Sequence, residues 1–262
     1  MQEQVDSFIS YMKIQKNAAV LTVSSYRREL QRLVYFLQNN HICNINDIGL
    51  TELRQYIQYS QESRNLCPSS IIVIVAILKS FFRYLHEEGK VDNNITRKLG
   101  APKKISNPPN AMEKHEIDRV LDIIRFSPKR CRKNYVRDKL IISTLYYAGL
   151  RRNELLKLNW DDLNLEKSYM TIRNSKGGKT RLVPIHPNLM ELLDQYLDLR
   201  LPLKCNALFI GEQGKRLIKS SFTNLIRMYF KIAGLSKKRY TAHSFRHYVE
   251  RYIMVSVAAI VR

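Results

Sequence analysis

The chain has 262 residues, 45% of them hydrophobic, which is enough for one large or two modest domains with a real core and excludes disorder as the default class. Its 44 Lys and Arg against 23 Asp and Glu leave a formal charge of +21. That exceeds what solubility requires and suits a polyanionic partner, of which nucleic acid is the commonest.

Cys43, Cys67, Cys131 and Cys205 are scattered, with no C-x-x-C pair and no His at zinc-ligand spacing. Neither a metal site nor a disulfide framework is expected, and a reducing compartment is. The N-terminus lacks the basic-then-apolar pattern of a signal peptide. The longest apolar run, Ile71 to Leu78, falls short of a membrane span. A cytoplasmic protein with no membrane partner is the expectation.

In chain order, Val5, Phe8, Ile9 and Met12 fall at i, i+3, i+4, i+7 and predict an amphipathic helix. Tyr26, Leu30, Leu33, Val34 and Leu37 predict a second, with Ser24 or Ser25 as N-cap. A shorter third helix runs from Thr51 through Tyr59. A fourth starts at Pro68-Ser69-Ser70 and continues through Leu85 until Gly89 ends it. Residues 1–89 thus read as a small helical bundle. Residues 90–110 hold breakers and a basic middle (Asn93, Asn94, Gly100, Pro102, Lys103, Lys104, Pro108, Pro109) and read as a linker.

Residues 111–262 read as a second domain. Helices are predicted over Glu113–Ile124, Arg137–Ala148 (closed by Gly149) and Arg152–Leu158. Ser168–Arg173 and Thr180–Ile185 are β-like runs flanking Asn174-Ser175-Lys176-Gly177-Gly178-Lys179, a hairpin signal. Helices return over Asn188–Leu199, Ser220–Ala233 and from His243 onward. The fold class is therefore mainly α with a small β-hairpin. The charge is uneven: residues 1–105 carry a net +5 and residues 106–262 a net +16.

Three places carry candidate chemistry. Arg151 follows a glycine break at a helix start, where a guanidinium can fork onto two phosphate oxygens. Its bland alternative is a surface pair with Glu154 at i+3. Lys176 sits at the hairpin tip, where a lysine reaches a groove or donates a proton; an ordinary solvated turn lysine is the alternative, and Lys179 and Arg181 lie nearby. His243, Arg246 and His247 share one face of a helix, an arrangement unusual for a core.

Together these pieces resemble the tyrosine recombinase family, the phage integrase and Xer type. The matching stretches are Ala148-Gly149-Leu150-Arg151-x-x-Glu154-Leu155, Leu158-x-Trp160-x-Asp162-Leu163, Lys176-Gly177-x-Lys179-x-Arg181-Leu182-Val183-Pro184 and His243-x-x-Arg246-His247. Four motifs in that order span nearly the whole chain once the helical N-terminal domain is included. The resemblance implies a SAM-like core-binding domain and a catalytic domain clamped around double-stranded DNA. It implies that Arg151 and Arg246 hold the non-bridging oxygens of the scissile phosphate. His243 shares that role or assists proton transfer, and Lys176 is the general acid for the departing 5′ oxygen. His247 and Lys179 would support them, and no cofactor or metal is implied. Ala242 stands where the family often has proline, and Phe245 where it has leucine.

The family places a further His or Trp and then the nucleophilic tyrosine beyond the second arginine, and the sequence stops at Arg262. Tyr248 lies about 200° and Tyr252 about 240° around the helix from Arg246, and Tyr240 precedes the motif, so no nucleophile is assigned within the chain. The uncharged close, Ile253 to Val261, is unlike the family's continuation, and a truncated or frameshifted end is expected. Four protomers form the family's synapse; without the helix exchanged between neighbours, a stable tetramer is not expected of this chain. The rival readings are a non-catalytic DNA-binding remnant or regulator and a type IB topoisomerase-like enzyme, with a tyrosine supplied in trans as a variant of the first reading.

Overall fold

The structure is a computed structural model that describes residues 1–103, 110–125, 132–173 and 180–260, with backbone alone at 132, 133 and 253–260. Two compact units divide the chain, Met1–Asn107 and Pro108–Arg262.

The first unit is built from α1 (Gln2–Ile14), α2 (Val20–Asn39), α3 (Leu50–Ser63) and α4 (Pro68–Glu87). The predicted apolar face of α1, Val5, Phe8, Ile9 and Met12, is its buried face. In α2 the serines do not cap. The helix begins at Val20, and Ser25 Oγ donates back to the Leu21 carbonyl inside it. Val23, seven residues before Leu30, buries on the same side and carries the helix one turn further than the serines suggest. Proline at the first turn starts α4, where its missing N–H costs nothing. By length and composition α4 could cross a membrane, yet eight of its residues are buried and it packs against α1, α2 and α3.

A 3-10 helix over Ile95–Lys98 also packs against α4, with Thr96 and Leu99 buried. Asn94 caps it by accepting from the Thr96 N–H. These residues belong to the stretch read from sequence as linker; of its remainder, 104–109 lie outside the described residues.

The second unit centres on α6 (Arg132–Ala148), against which α5 (Lys114–Arg125), α8 (Pro187–Asp198) and α10 (Ala242–Ile260) pack. Between them run α7 (Arg152–Lys157), an antiparallel sheet and α9 (Lys219–Ile232). The sheet has three strands, β1 (Leu163–Asn164), β2 (Tyr169–Ile172) and β3 (Arg181–Pro184), in that order, with Leu163 opposite Met170 and Met170 opposite Val183. The predicted pair is present as β2 and β3; β1, two residues long, shows no alternation that a sequence could announce. Its turn, 174–179, lies outside the described residues.

Buried charge organises the rest. Arg137 donates to Asp138 at 2.8 Å and to the Ile210 carbonyl, while Tyr229 donates its hydroxyl to Asp138. Arg200 donates to the carbonyls of Cys205, Ala207 and Leu208, which fixes the irregular segment after α8. Buried groups of this kind persist only when paired, and here they are.

Candidate functional site

Gly149 ends α6 with φ +56°, a left-handed turn that glycine adopts without strain. A Cβ there would meet Val249 Cγ1 of α10 at 3.2 Å. Gly149→Ala is therefore expected to destabilise the second unit by about 1–2 kcal/mol, the left-handed penalty of an L-residue, read as a lowered denaturation midpoint. An unchanged midpoint would sink this reading of the turn.

The turn delivers Arg151 to the position just before α7. Both the Arg151 N–H and its Nη1 donate to Glu154, at 3.0 and 2.9 Å, so the i+3 pair weighed from sequence is present. It is not a simple surface pair. Glu154 is buried and also receives a two-pronged fork from Arg181 of β3, at 3.0 and 2.8 Å. Burial raises the Glu154 pKa, but the bonds from Arg181 and then Arg151 outweigh it and hold the carboxyl at about 2. Arg181 takes both carboxylate oxygens, and among the described residues only Nη1 of the Arg151 guanidinium is engaged. The remaining N–H donors of Arg151 stay available to an anion.

Arg246, 21% exposed on α10, donates from Nη1 to the Gly149 carbonyl at 2.8 Å. That bond pins the His-Arg-His helix to the turn that carries Arg151. His243 and His247 lie one turn apart, with ring centroids separated by 6.3 Å. The His243 pKa is lowered, first by burial and then by His247, Arg152, Arg246 and Arg151. Four cationic or titrating neighbours acting on one imidazole mark a cluster that favours a negative guest. The structure thus brings Arg151, His243, Arg246 and His247 together. Lys176 and Lys179 lie outside the described residues.

Two participants escaped the sequence reading. Arg152 acts on His243, and its Nε is buried with no hydrogen-bond partner among the described residues. Glu250 bonds Arg246 Nε at 2.7 Å and His247 Nδ1 at 3.2 Å. Its i+4 spacing from Arg246 was a readable signal. Glu250 thus occupies the Arg246 Nε and stands against His247 Nδ1. Glu250→Gln is expected to tighten duplex DNA binding by about 2- to 5-fold, the size of an exposed ion pair. The gain should vanish in an Arg246→Ala background, and a gain that persists there would show a mere change in net charge.

Three tyrosines stand on α10 or just before it. Tyr240 donates its hydroxyl to Glu116, and burial followed by that bond pushes its pKa up to about 12. Tyr248 packs on Tyr146 with ring centroids 5.4 Å apart, and Tyr252 stacks on Tyr248.

A helical first unit and a second, mainly helical unit with a small antiparallel sheet, whose arginines and histidines converge at one turn, define the class of fold. Comparison with known proteins gives the family. Residues 110–256 match the phage integrase family, and residues 5–89 match the phage integrase N-terminal SAM-like domain. The chain is 30% identical to the tyrosine recombinase XerC of Roseiflexus sp. (strain RS-1), over 94% of this chain and 79% of the relative. It is 27% identical to XerD of Listeria innocua serovar 6a, over 94% and 83%. Its fold is shared with a XerH site-specific recombinase bound to palindromic difH substrate, at a TM-score of 0.72 and 22% identity, covering 96% of this chain and 75% of that one. A lambda integrase dimer bound to a COC′ core site gives 0.72 and 18%, over 96% and 88%. The chain belongs to the phage integrase family, the tyrosine recombinases, which break and rejoin DNA.

Proposed function

We propose that this chain binds double-stranded DNA and activates a scissile phosphate for site-specific cleavage and rejoining. The observation that carries the reading is the Arg246–Gly149 bond, which joins the His243-x-x-Arg246-His247 helix to the Arg151 turn. Arg151 and Arg246 hold the non-bridging oxygens, with His243 beside them. A tyrosine hydroxyl attacks phosphorus and passes its proton to His243, the bond to the 5′ oxygen breaks, and Lys176 gives that oxygen a proton. The product is a 3′-phosphotyrosine, and attack by a 5′ hydroxyl reverses the step. The pentacoordinate transition state carries more negative charge than the diester, so fixed cations favour it selectively. Each well-placed donor supplies about 3 kcal/mol.

The electrostatic logic extends to His243. Burial first, and then its cationic neighbours, disfavour a charge on the imidazole in the free protein. A bound phosphate offsets them and lets the imidazole hold a proton. Other protomers of the recombinase are the expected partners, and the cytoplasm, where chromosomal DNA is reached, is the proposed location.

Tyr240 is held by Glu116, and Tyr248 and Tyr252 stand about 200° and 240° around α10 from Arg246, which supports an attacking tyrosine other than these three. Mixed with a nicked duplex that traps covalent intermediates, the chain is expected to shift the duplex without forming an SDS-resistant adduct. An adduct would assign the attack to one of its own tyrosines. A second reading, a DNA-binding regulator, draws on the same placement. It requires that cleavage stay absent when a tyrosine-bearing partner is added.

A further inference from the structure

On α2, Arg28, Gln31, Arg32 and Tyr35 recur at i, i+3, i+4, i+7 and form an exposed stripe on the side of the helix away from its buried face. The stripe lines a groove of about 450 Å³ whose other residues, Tyr56, Tyr59 and Arg64, come from α3 and its C-terminal end. The volume is that of a small-ligand site. Tyr35 is 63% exposed and Tyr59 41%, so two aromatic rings stand in solvent at one groove.

The floor is rigid. Glu29, buried, accepts from the Tyr56 hydroxyl at 2.7 Å, from Arg64 at 2.7 and 3.1 Å and from Arg32 at 3.1 Å. Tyr59 packs on Phe36 and Phe36 on Tyr56, with ring centroids 5.1 and 5.4 Å apart. One carboxylate against Arg28, Arg32 and Arg64 leaves the groove positive. Nothing in the phosphate chemistry of the second unit uses this arrangement.

We infer that this groove binds an unpaired nucleotide of single-stranded DNA, its base on Tyr35 and Tyr59 and its phosphates on the three arginines. In a duplex the base faces are covered by their neighbours, so the rings have no face to stack on there and their hydroxyls can reach only phosphate. An unpaired base offers its face to a tyrosine, and the Gln31 amide has donors and an acceptor for a base edge. Rings combined with guanidiniums are the usual means of holding a single strand without reading its sequence. Breaking and rejoining DNA strands exposes such nucleotides, but the inference stands on the groove alone.

The test measures fluorescence anisotropy of a labelled oligothymidine strand, and separately of a labelled duplex, with the full chain. Tyr35→Ala and Tyr59→Ala are each expected to weaken strand binding on the order of 10-fold, the worth of one stacked base, with duplex binding nearly unchanged. Tyr35→Phe and Tyr59→Phe keep the ring and should bind the strand as the unchanged chain does, which separates stacking from loss of the hydroxyl. Strand affinity that survives both alanine changes overturns the inference, as does an equal loss for strand and duplex. An acidic Glu- and Tyr-containing peptide that displaces the strand, depends on Tyr35 and binds more tightly also overturns it and makes the groove a protein-docking site.

Discussion

Arg151→Ala is expected to lower strand cleavage by on the order of 10²- to 10³-fold, the loss seen when one preorganised donor leaves an oxyanion site. The assay mixes this chain with a full-length relative that keeps its tyrosine but has lost its own phosphate-binding arginine. Cleavage then requires the pocket described above and a tyrosine in trans. Duplex binding should fall only modestly, because one guanidinium among the chain's 44 basic residues contributes one phosphate contact. Arg246→Ala should do the same and also release α10 from the Gly149 carbonyl. Cleavage at the unchanged rate in either variant would remove these residues from the reaction. Parallel loss of binding and cleavage would make them ordinary phosphate contacts and favour the regulator.

The second large effect falls on stability. Glu154→Ala removes the one carboxylate shared by Arg151 and Arg181 and strands two guanidiniums beside each other. Breaking a buried pair costs about 3–5 kcal/mol, and because both arginines are about one-third exposed, the low end applies, roughly 2–3 kcal/mol. The same group sets an acid limit. Its carboxyl is depressed to about 2 in the fold, against an ordinary 4.5. Its contribution is complete above pH 4.5 and is lost as the pH falls towards 2, since the unfolded chain takes up the proton first. Denaturation midpoints followed down through that window should drop less for Glu154→Gln than for the unchanged chain. Equal acid sensitivity would place the titrating carboxylate elsewhere.

The helices were legible because their signal is local: Val5, Phe8, Ile9 and Met12 report a buried face wherever the rest of the chain goes. The four motifs were legible as an ordered set, and the structure brings Arg151, His243, Arg246 and His247 of that set to one turn. What escaped depends on distant partners. Ser24 and Ser25 looked like caps until Val23 found a core to bury in. The segment after α8 has no periodicity because its order comes from Arg200 collecting carbonyls. Glu154 read as one half of a surface pair because its second arginine is 27 residues away in β3. Glu250 was within reach by spacing, but its hold on an arginine that also reaches Gly149 appears only in the fold.

The bond between Arg246 and Gly149 closes a loop of 97 residues. Closing a loop of that length costs more entropy than a local contact, so the bond relies on the intervening fold to hold its ends together. It depends on α10 staying docked on α6, where Phe245 is buried in the shared core. The meeting of Arg246 with the Arg151 turn is thus tied to the docking of α10 on α6 and not to either arginine's own helix.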